Sequence, residues 1–482
     1  MPDTALTGKL AELLGPDGCV VGDDVSERYM VDFGGENPLR PRAVLCPRTV
    51  EQLSAAVAAC AAASQAIVIQ GGMTGLCGGA TPRSGEIAIS LERLSGIEAL
   101  DRQSMTMTVL AGTPLQVVQE AAAEAGLFFP LDLGARGSCT IGGNIATNAG
   151  GNQVLRFGMM RNLVLGLEAV LADGTVLSSM NRLIKNNAGY DIKQLFIGSE
   201  GTLGIVTRAV LKLYPALPAR TAAIVAIADF SGCVKLLHSL QGGLGGALSA
   251  FEAMWASYFD FVISNIAKLR SPFDAAYPLY ALVQSEGSDH AADRERMEAV
   301  LGELLESGVV LDAAIAQSER EAESFWQIRD GIAEIQALLQ PLVAFDVAVP
   351  IRDMPGFLDT TASALETTFP SVTNLVFGHI GDNNLHLTVT TGRHEHLERI
   401  CEIVYKATSE VGGSIAAEHG IGVSRREYLR LSRNEGEIEL MRKLKAMLDP
   451  KGILNPGRVI AVESVAMVRP LSGWPPANLK GV

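Results

Sequence analysis

Basic charge is scarce in this sequence, and its cysteines have no metal-ligand or redox spacing. Lys and Arg total 39 against 53 Asp and Glu, which leaves a net charge of −14. A nucleic-acid binder would need a basic face, so that class is set aside. An anionic small substrate stays compatible, because one well-placed Arg can hold it. The seven Cys (19, 46, 60, 77, 139, 233, 401) contain no CxxC. Reduced thiols in a cytoplasmic protein are expected. The segment MPDTALTGKLAELLGPDG lacks a basic stretch followed by an apolar one, so no secretory leader is expected. Residues 55–80 carry no charge, yet Gln65, Gln70 and five Gly interrupt them. A membrane span needs ~20 predominantly apolar residues, so no transmembrane segment is expected.

Glycine, by contrast, is plentiful: 50 of 482 residues, gathered in clusters. Clustered Gly marks places where backbone approaches something closely. The length predicts about two to four domains. Residues 43–47 read as a strand, 49–63 as a helix capped by Thr49, and IVIQ (67–70) as a buried strand running into a Gly loop. This β-α-β-loop start suits a nucleotide site. Strand and turn signals alternate to about 213, and Pro215 and Pro218 mark a boundary. Beyond it, strand-like runs (221–228, 278–284, 342–350, 373–391) alternate with amphipathic helices (292–306, 318–339, 395–411). That pattern predicts an α+β domain with a mainly antiparallel sheet. The tail 431–460 reads as a helix followed by turns.

Six segments carry chemistry-bearing residues. QGGMTGLCGGATP (70–82) can aim backbone N–H groups at a phosphate, although it matches neither the GxGxxG nor the P-loop pattern. Alone, it equally fits a flexible surface loop. GSCTIGGNIATNAGG (137–151) packs Gly, Asn, Ser and Thr together without Lys or Arg, which suits a ligand needing many hydrogen bonds. In GYDIKQLFIGSEGTLGIVTRAVLKL (189–213), Glu200 sits within a Gly turn, where a turn carboxylate is the plain reading.

NLVFGHIGDNNLHLTVT (374–390) reads as a hairpin with a four-residue loop, Gly381 to Asn384. In that register His379 faces His386, and opposed residues hold their Cβ atoms ~4.5–5.5 Å apart. Two imidazoles would then converge on one point, as a metal requires. Two polar residues on a solvated strand is the bland alternative. GGSIAAEHGIG (412–422) sets Glu418 beside His419. Two His plus one Glu is a catalytic metal set that leaves positions open for water or substrate. In SFWQIRDGIAEIQALL (324–339) the apolar spacing makes Trp326 core or pocket wall, and Arg329 an ordinary helix Arg unless it faces a carboxylate site. His238, His290, His394 and His396 receive no role.

The ordered set GGMTG, GSCTIGGNIATNAGG, GSEGTLGI, GHIGDNNLH, EHGIG and NPGR resembles the vanillyl-alcohol-oxidase type of FAD flavoproteins, over Pro47 to Arg458. The branch it resembles holds D-2-hydroxyglutarate dehydrogenase, D-lactate dehydrogenase and the glycolate oxidase large subunit. The resemblance implies an α+β fold with a two-part FAD-binding domain (1–215) and a substrate domain (216–430) whose large antiparallel sheet is covered by helices. A C-terminal helical segment (431–482) returns to the FAD domain. It implies that Gly71, Gly72, Met73, Thr74 and Gly75 hold the FAD pyrophosphate. Pro130, Leu131, Gly137, Ser138, Cys139, Gly142, Gly143, Asn144, Thr147, Asn148, Gly150, Glu200, Gly201, Ile205 and Asn455 would line the rest of the cofactor. FAD is expected to be non-covalent, since 70–82 contain no His.

By the same resemblance His379, His386 and Glu418 are ligands of a divalent metal, zinc with manganese as the alternative. His419 is the general base, and Arg329, Thr388, His419 and Asn384 contact substrate. Thr388 stands where relatives often have Asn. Ala333 and Ala344 stand where the glutarate enzymes are expected to have a Thr and a Lys for the distal carboxylate, which favours a smaller or more apolar side chain. The implied activity is oxidation of a D-2-hydroxy acid (D-lactate-like, apolar, D-malate or D-2-hydroxyglutarate) to the 2-oxo acid. The implied partners are an electron acceptor, which is an electron-transfer flavoprotein, a quinone or a cytochrome, and a second copy in a homodimer. Rival readings are a flavin-binding subunit of a glycolate-oxidase-type complex, and another task of the fold such as aldonolactone oxidation or alkyl transfer.

Overall fold

The computed structural model describes residues 4–35 and 37–461. The chain builds three sheets that matter for the site. The first has four strands in the order Cys19–Val21, Ala43–Leu45, Ile87–Ser90 and Ile67–Gln70. Its parallel pairing reflects the β-α-β start: helix Val50–Ala62 carries the chain back, so Ala43–Leu45 and Ile67–Gln70 run the same way, each parallel to Ile87–Ser90 between them. Thr49 accepts the N–H of Gln52 and caps that helix, as its sequence predicts. The second sheet has five antiparallel strands in the order Ile97–Asp101, Thr106–Leu110, Ile205–Lys212, Val164–Val170 and Val176–Ser179. One apolar core joins these two sheets, spanning Leu6 to Leu213 and taking in Ile453 and Leu454.

The third sheet has seven antiparallel strands, in the order Val310–Ile315, Ala219–Ile227, Leu279–Gly287, Leu248–Trp255, Thr373–His379, Asn384–Thr390 and Val343–Ala348. Strand side chains alternate between faces. On one face Leu385, Leu387 and Val389 pack with Phe345, Val347 and the helices Phe230–Gly243, His290–Glu306, Met354–Thr368 and Leu397–Glu410. On the other face Leu375 and Phe377 pack with Tyr258, Phe259, Phe325 and Trp326, on helices Ala256–Asn265 and Glu319–Arg329. The polar site residues share this second face. The fold is thus α+β, with a large antiparallel sheet covered by helices.

Three local expectations are corrected. Strands Leu248–Trp255 and Val310–Ile315 are absent from the strand-like runs, because LSAFEAMW and VLDAAI are Ala-rich and each carries a carboxylate. The helix expected over 318–339 is two, Glu319–Arg329 and Ile332–Leu338. Gly331 sits at the break, where a Cβ would lie 2.9 Å from Ile266 Cδ1 and 3.0 Å from Val262 Cγ1. The hairpin register also differs by two residues. Phe377, not His379, lies opposite His386, and His379 lies opposite Glu252. A 3₁₀ turn, Ile380–Asp382, followed by Asn383 at φ +69°, lengthens the loop. A shift of two keeps the face, so both imidazoles still point the same way.

Among the described residues no helix is long and apolar enough to cross a membrane. All seven Cys are free thiols. The tail returns to the first sheet: Asn455 donates its N–H to the Ile67 carbonyl at 2.9 Å, and its side-chain oxygen accepts the Ile69 N–H at 2.8 Å. The expected C-terminal segment extends beyond 461, outside the described residues.

Candidate functional site: a glycine-lined cavity ending at a histidine cluster

A cavity of ≈ 360 Å³ runs between the first two sheets and ends at Glu418 and His419. Its near end is the loop after Ile67–Gln70. The carbonyls of Met73 and Gly75 accept the N–H groups of Phe33 and Gly34 at 3.0 and 2.8 Å. Asp32 accepts the Ala80 N–H at 3.0 Å and the Thr81 hydroxyl at 2.9 Å. The loop is therefore clamped on its outer side while Gly71, Gly72, Met73, Thr74 and Gly75 line the cavity. Met73 holds φ +57°.

The second Gly-rich segment forms the opposite wall. Cys139, Gly142, Gly143, Asn144, Thr147 and Gly150 line it, as do Glu200, Gly201, Ile205 and Asn455. Where the two segments crowd their neighbours, glycine is required: a Cβ on Gly71 of the first loop would lie 2.7 Å from Thr140 Oγ1, and one on Gly142 2.7 Å from the Ala111 Cβ. Pro130, Leu131, Gly137, Ser138 and Asn148 lie outside this lining. Leu131 is core, and Asn148 ends helix Ile141–Thr147 in the left-handed conformation, where its Oδ1 accepts the Arg161 N–H. Thr140 Oγ1 and Asn144 Nδ2 are buried without a hydrogen-bond partner on the cavity wall. Such atoms need a partner. A long ligand rich in phosphate and hydroxyl groups supplies it, so the wall fits FAD.

Glu200 closes the middle. It sits at φ +50°, and its carboxylate accepts the N–H groups of Ile421 and Gly422, each at 2.8 Å. Burial pushes its pKa up, against those two donors. The loop EHGIG is thereby fastened over the cavity. On its other side Cys77 Sγ lies 3.1 Å from the His419 carbonyl.

At the far end the ligand atoms of His379, His386 and Glu418 lie within 4.8 Å of one another. His379 and His386 are edge to face, with ring centroids 5.3 Å apart. Glu418 also accepts the Gly151 N–H at 3.0 Å, and a Cβ on Gly150 would lie 2.6 Å from its Oε1. The Gly pair in NAGG thus lets the second loop touch the carboxylate. His386 stacks on His419, with centroids 5.8 Å apart. Burial and the nearby His379 depress the pKa of His386, which keeps it neutral and able to donate a lone pair. Two imidazoles and one carboxylate around an open side suit zinc.

Two buried acids support this cluster, and neither was foreseen. Glu252 lies 2.5 Å from His379 Nδ1 and 2.9 Å from Arg329 Nε. Burial opposes its ionisation, but His379 and Arg329 prevail and hold its pKa at about 2. For His379, burial lowers the pKa and Glu252 raises it further, to about 9. Asp346 accepts the N–H groups of Glu418 and His419 at 3.0 and 2.8 Å and the Asn384 amide at 2.9 Å. Burial opposes its charge as well, but His419, Arg425 and His386 hold its pKa well below the usual carboxylate range. The signal for both acids was a lone carboxylate in an otherwise apolar strand, SAFEAMW and VAFDVAV.

The expected substrate contacts are placed unevenly. His419 faces the cavity. Arg329 is paired with Glu252 and lies 3.0 Å from His379 Nε2. Asn384 spends its amide on Asp346 and on the Val347 carbonyl, and its Oδ1 is buried without a partner. Thr388 is buried between Leu375 and Ala344, on the His386 face. Ala333 and Ala344 are exposed.

Comparison with known proteins agrees with this geometry. The model of an FAD binding domain matches residues 41–179, and that of FAD linked oxidases, C-terminal domain, matches 217–459. A protein named D-2-hydroxyglutarate dehydrogenase from Xanthomonas citri pv. viticola is 39% identical, over 90% of this chain and 92% of its own. The mitochondrial D-2-hydroxyglutarate dehydrogenase of Arabidopsis thaliana is 37% identical over 93% and 80%. Among solved structures, p-cresol methylhydroxylase with substrate bound superposes with TM-score 0.74 at 15% identity, over 95% of this chain and 97% of its own. An alkyldihydroxyacetonephosphate synthase also reaches TM-score 0.74, at 17% identity over 95% and 85%. At such identity the likeness speaks for the fold alone. With both domain models matched and relatives this similar over most of their length, the chain belongs to the FAD-linked oxidases.

Proposed function

We propose that this protein is an FAD-dependent dehydrogenase that oxidises a D-2-hydroxy acid to its 2-oxo acid. The observation that carries the reading is the meeting of His379, His386, Glu418 and His419 at the end of the glycine-lined cavity. We read 1–215 as the FAD-binding part, 216–430 as the substrate part and 431–482 as the returning segment. Loop 71–75 would cradle the FAD pyrophosphate, and Asn144, Glu200, Gly201 and Asn455 would lie along the flavin. Attachment is non-covalent, as no His lies in 70–82.

His379, His386 and Glu418 would hold zinc, or manganese, beside the substrate's 2-hydroxyl and carboxylate. When bound, the metal supplies a Lewis acid and FAD a hydride acceptor. His419 removes the hydroxyl proton, a task suited to an imidazole near neutral pH. Asp346 holds the backbone of that His, and the loop bearing it shields the cavity from water. Arg329 offers its guanidinium near the cluster, but Glu252 already pairs with it. With Ala333 and Ala344 adding only methyl groups, a small or apolar substrate side chain is favoured over a second carboxylate. Electrons leave to a flavoprotein, quinone or cytochrome acceptor, and the protein works as a homodimer in a reducing compartment such as the cytoplasm.

The test is anaerobic bleaching of the flavin by a panel of D- and L-2-hydroxy acids, before and after chelation. Bleaching by a D-acid, lost on chelation and restored by zinc or manganese, is expected. Full FAD occupancy with no bleaching by any acid would overturn the reading in favour of a flavin-binding subunit.

A further inference from the structure

Glu252 is the only charged residue of the strand Leu248–Trp255, and its side chain is 1% exposed. The strand register sets it directly opposite His379. A carboxylate so placed is costly to bury unless every oxygen is used. Both oxygens are used, and on two different partners. Oε1 lies 2.5 Å from His379 Nδ1, and Oε2 lies 2.9 Å from Arg329 Nε. The triangle closes on its third side, where an Arg329 terminal nitrogen lies 3.0 Å from His379 Nε2.

The chemistry of the three groups fixes the ring. A guanidinium only donates, and an ionised carboxylate only accepts. In its neutral form the imidazole between them carries its hydrogen on Nδ1 and its lone pair on Nε2, where the Arg329 nitrogen at 3.0 Å occupies the place a cation would take. Nε2 is also the atom that faces Glu418, whose Oε2 lies 4.0 Å away. Ring rotation is blocked as well, since turning it over would set the lone pair against a carboxylate. A His that donates its other N–H to a carboxylate is both oriented and made a stronger ligand.

We propose that Glu252 is the positioning residue of the metal site: it holds His379 in the tautomer and orientation that present Nε2 to a divalent cation. The inference rests on the reading of His379, His386 and Glu418 as metal ligands. The alternative is that Glu252 only neutralises Arg329 inside the sheet. Removing the charge of Glu252 without changing its shape alters both pairs, so zinc affinity and its recovery in excess zinc, not the substitution alone, separate the two roles.

The experiment compares wild type, Glu252→Gln and Glu252→Asp as FAD-loaded full chains. Zinc affinity is measured by competition with a chromophoric chelator, FAD content by absorbance, and flavin reduction with zinc limiting and in excess. Glu252→Gln is expected to keep FAD yet bind zinc ~10–100-fold more weakly. Excess zinc should restore most of its flavin reduction, and Glu252→Asp should fall between. Unchanged zinc affinity in Glu252→Gln would overturn the proposal, as would zinc weakened equally in both variants with no recovery in excess zinc. If Glu252→Gln does not fold, Glu252→Asp decides: zinc affinity equal to wild type overturns the proposal, and a fall that excess zinc reverses supports it. Wild type that binds no zinc would instead sink the metal reading itself, whatever the variants do.

Discussion

Oδ2 of Asp346 lies 3.5 Å from Nδ1 of His419 and accepts that residue's own backbone N–H at 2.8 Å. One buried carboxylate thus holds the main chain of the expected base and faces its ring. Asp346→Asn keeps the shape but removes the charge that faces the ring. Flavin reduction by a D-2-hydroxy acid should fall by ~100-fold or more, the scale of general-base catalysis. FAD content should stay near wild type, because Asp346 is not in the cavity wall. Stopped-flow reduction with a flavin-to-protein absorbance ratio checks both. A variant that reduces its flavin at the wild-type rate would show that His419 needs no such support.

His419 itself touches the cavity and is not in the set His379, His386 and Glu418, although its ring also converges with Asp346 and Glu418. His419→Ala should therefore lose ~10²–10⁴-fold in flavin reduction while zinc and FAD remain bound. Metal analysis and the flavin spectrum of the same sample separate this from collapse of the site. Loss of FAD in place of slow reduction would assign His419 a structural part.

How much of this was legible beforehand depended on what kind of signal each part leaves. Cavity-wall glycines such as Gly71 and Gly142 stood out because they are clustered, and at both a Cβ would lie 2.7 Å from a neighbouring atom. His379 and His386 stood out through strand alternation, and alternation survives a register error of two residues, so the shared face held although the direct pairing did not. Glu252 and Asp346 were harder to read for the converse reason. Their meaning lies in partners 127 and 73 residues away, His379 and His419, and the one local sign of each, a lone carboxylate in an apolar strand, does not say what it serves. The break at Gly331 was hidden in the same way, by Val262 and Ile266 of a distant helix.

Gly72 gives the sharpest test of the near end of the cavity. A Cβ there would overlap the Ser138 carbonyl and lie 2.9 Å from the Cys139 Cα. Both are backbone, so neither can swing aside. Gly72→Ala should push loop 71–75 away from the opposite wall and lower FAD affinity, with overexpressed protein purifying largely as apoprotein. Flavin release on ultrafiltration measures this. Retention of FAD at the wild-type level would remove loop 71–75 from the pyrophosphate site.

Asn455 joins three segments that are far apart in sequence. Its Oδ1 accepts the Ile69 N–H at 2.8 Å, and its Nδ2 donates to the Glu200 carbonyl at 2.6 Å. Asn455→Ala would strand both part-buried backbone groups, each costing at most ~1–3 kcal/mol. Glu200 would then be free to shift in its left-handed turn, and with it the contacts to Ile421 and Gly422 that fasten the EHGIG loop. The expected outcome is a lower melting temperature together with weaker FAD binding, because the same residue is core joint and cavity wall. Added FAD should stabilise the variant less than wild type, since a ligand bound only by the folded state shifts unfolding by mass action and a weaker site gains less at each concentration. Thermal melts of Asn455→Ala and wild type across an FAD series check this. Parallel curves offset by a constant amount would mean that Asn455 serves the fold alone, whereas a gap that widens as FAD rises would tie it to the cofactor site.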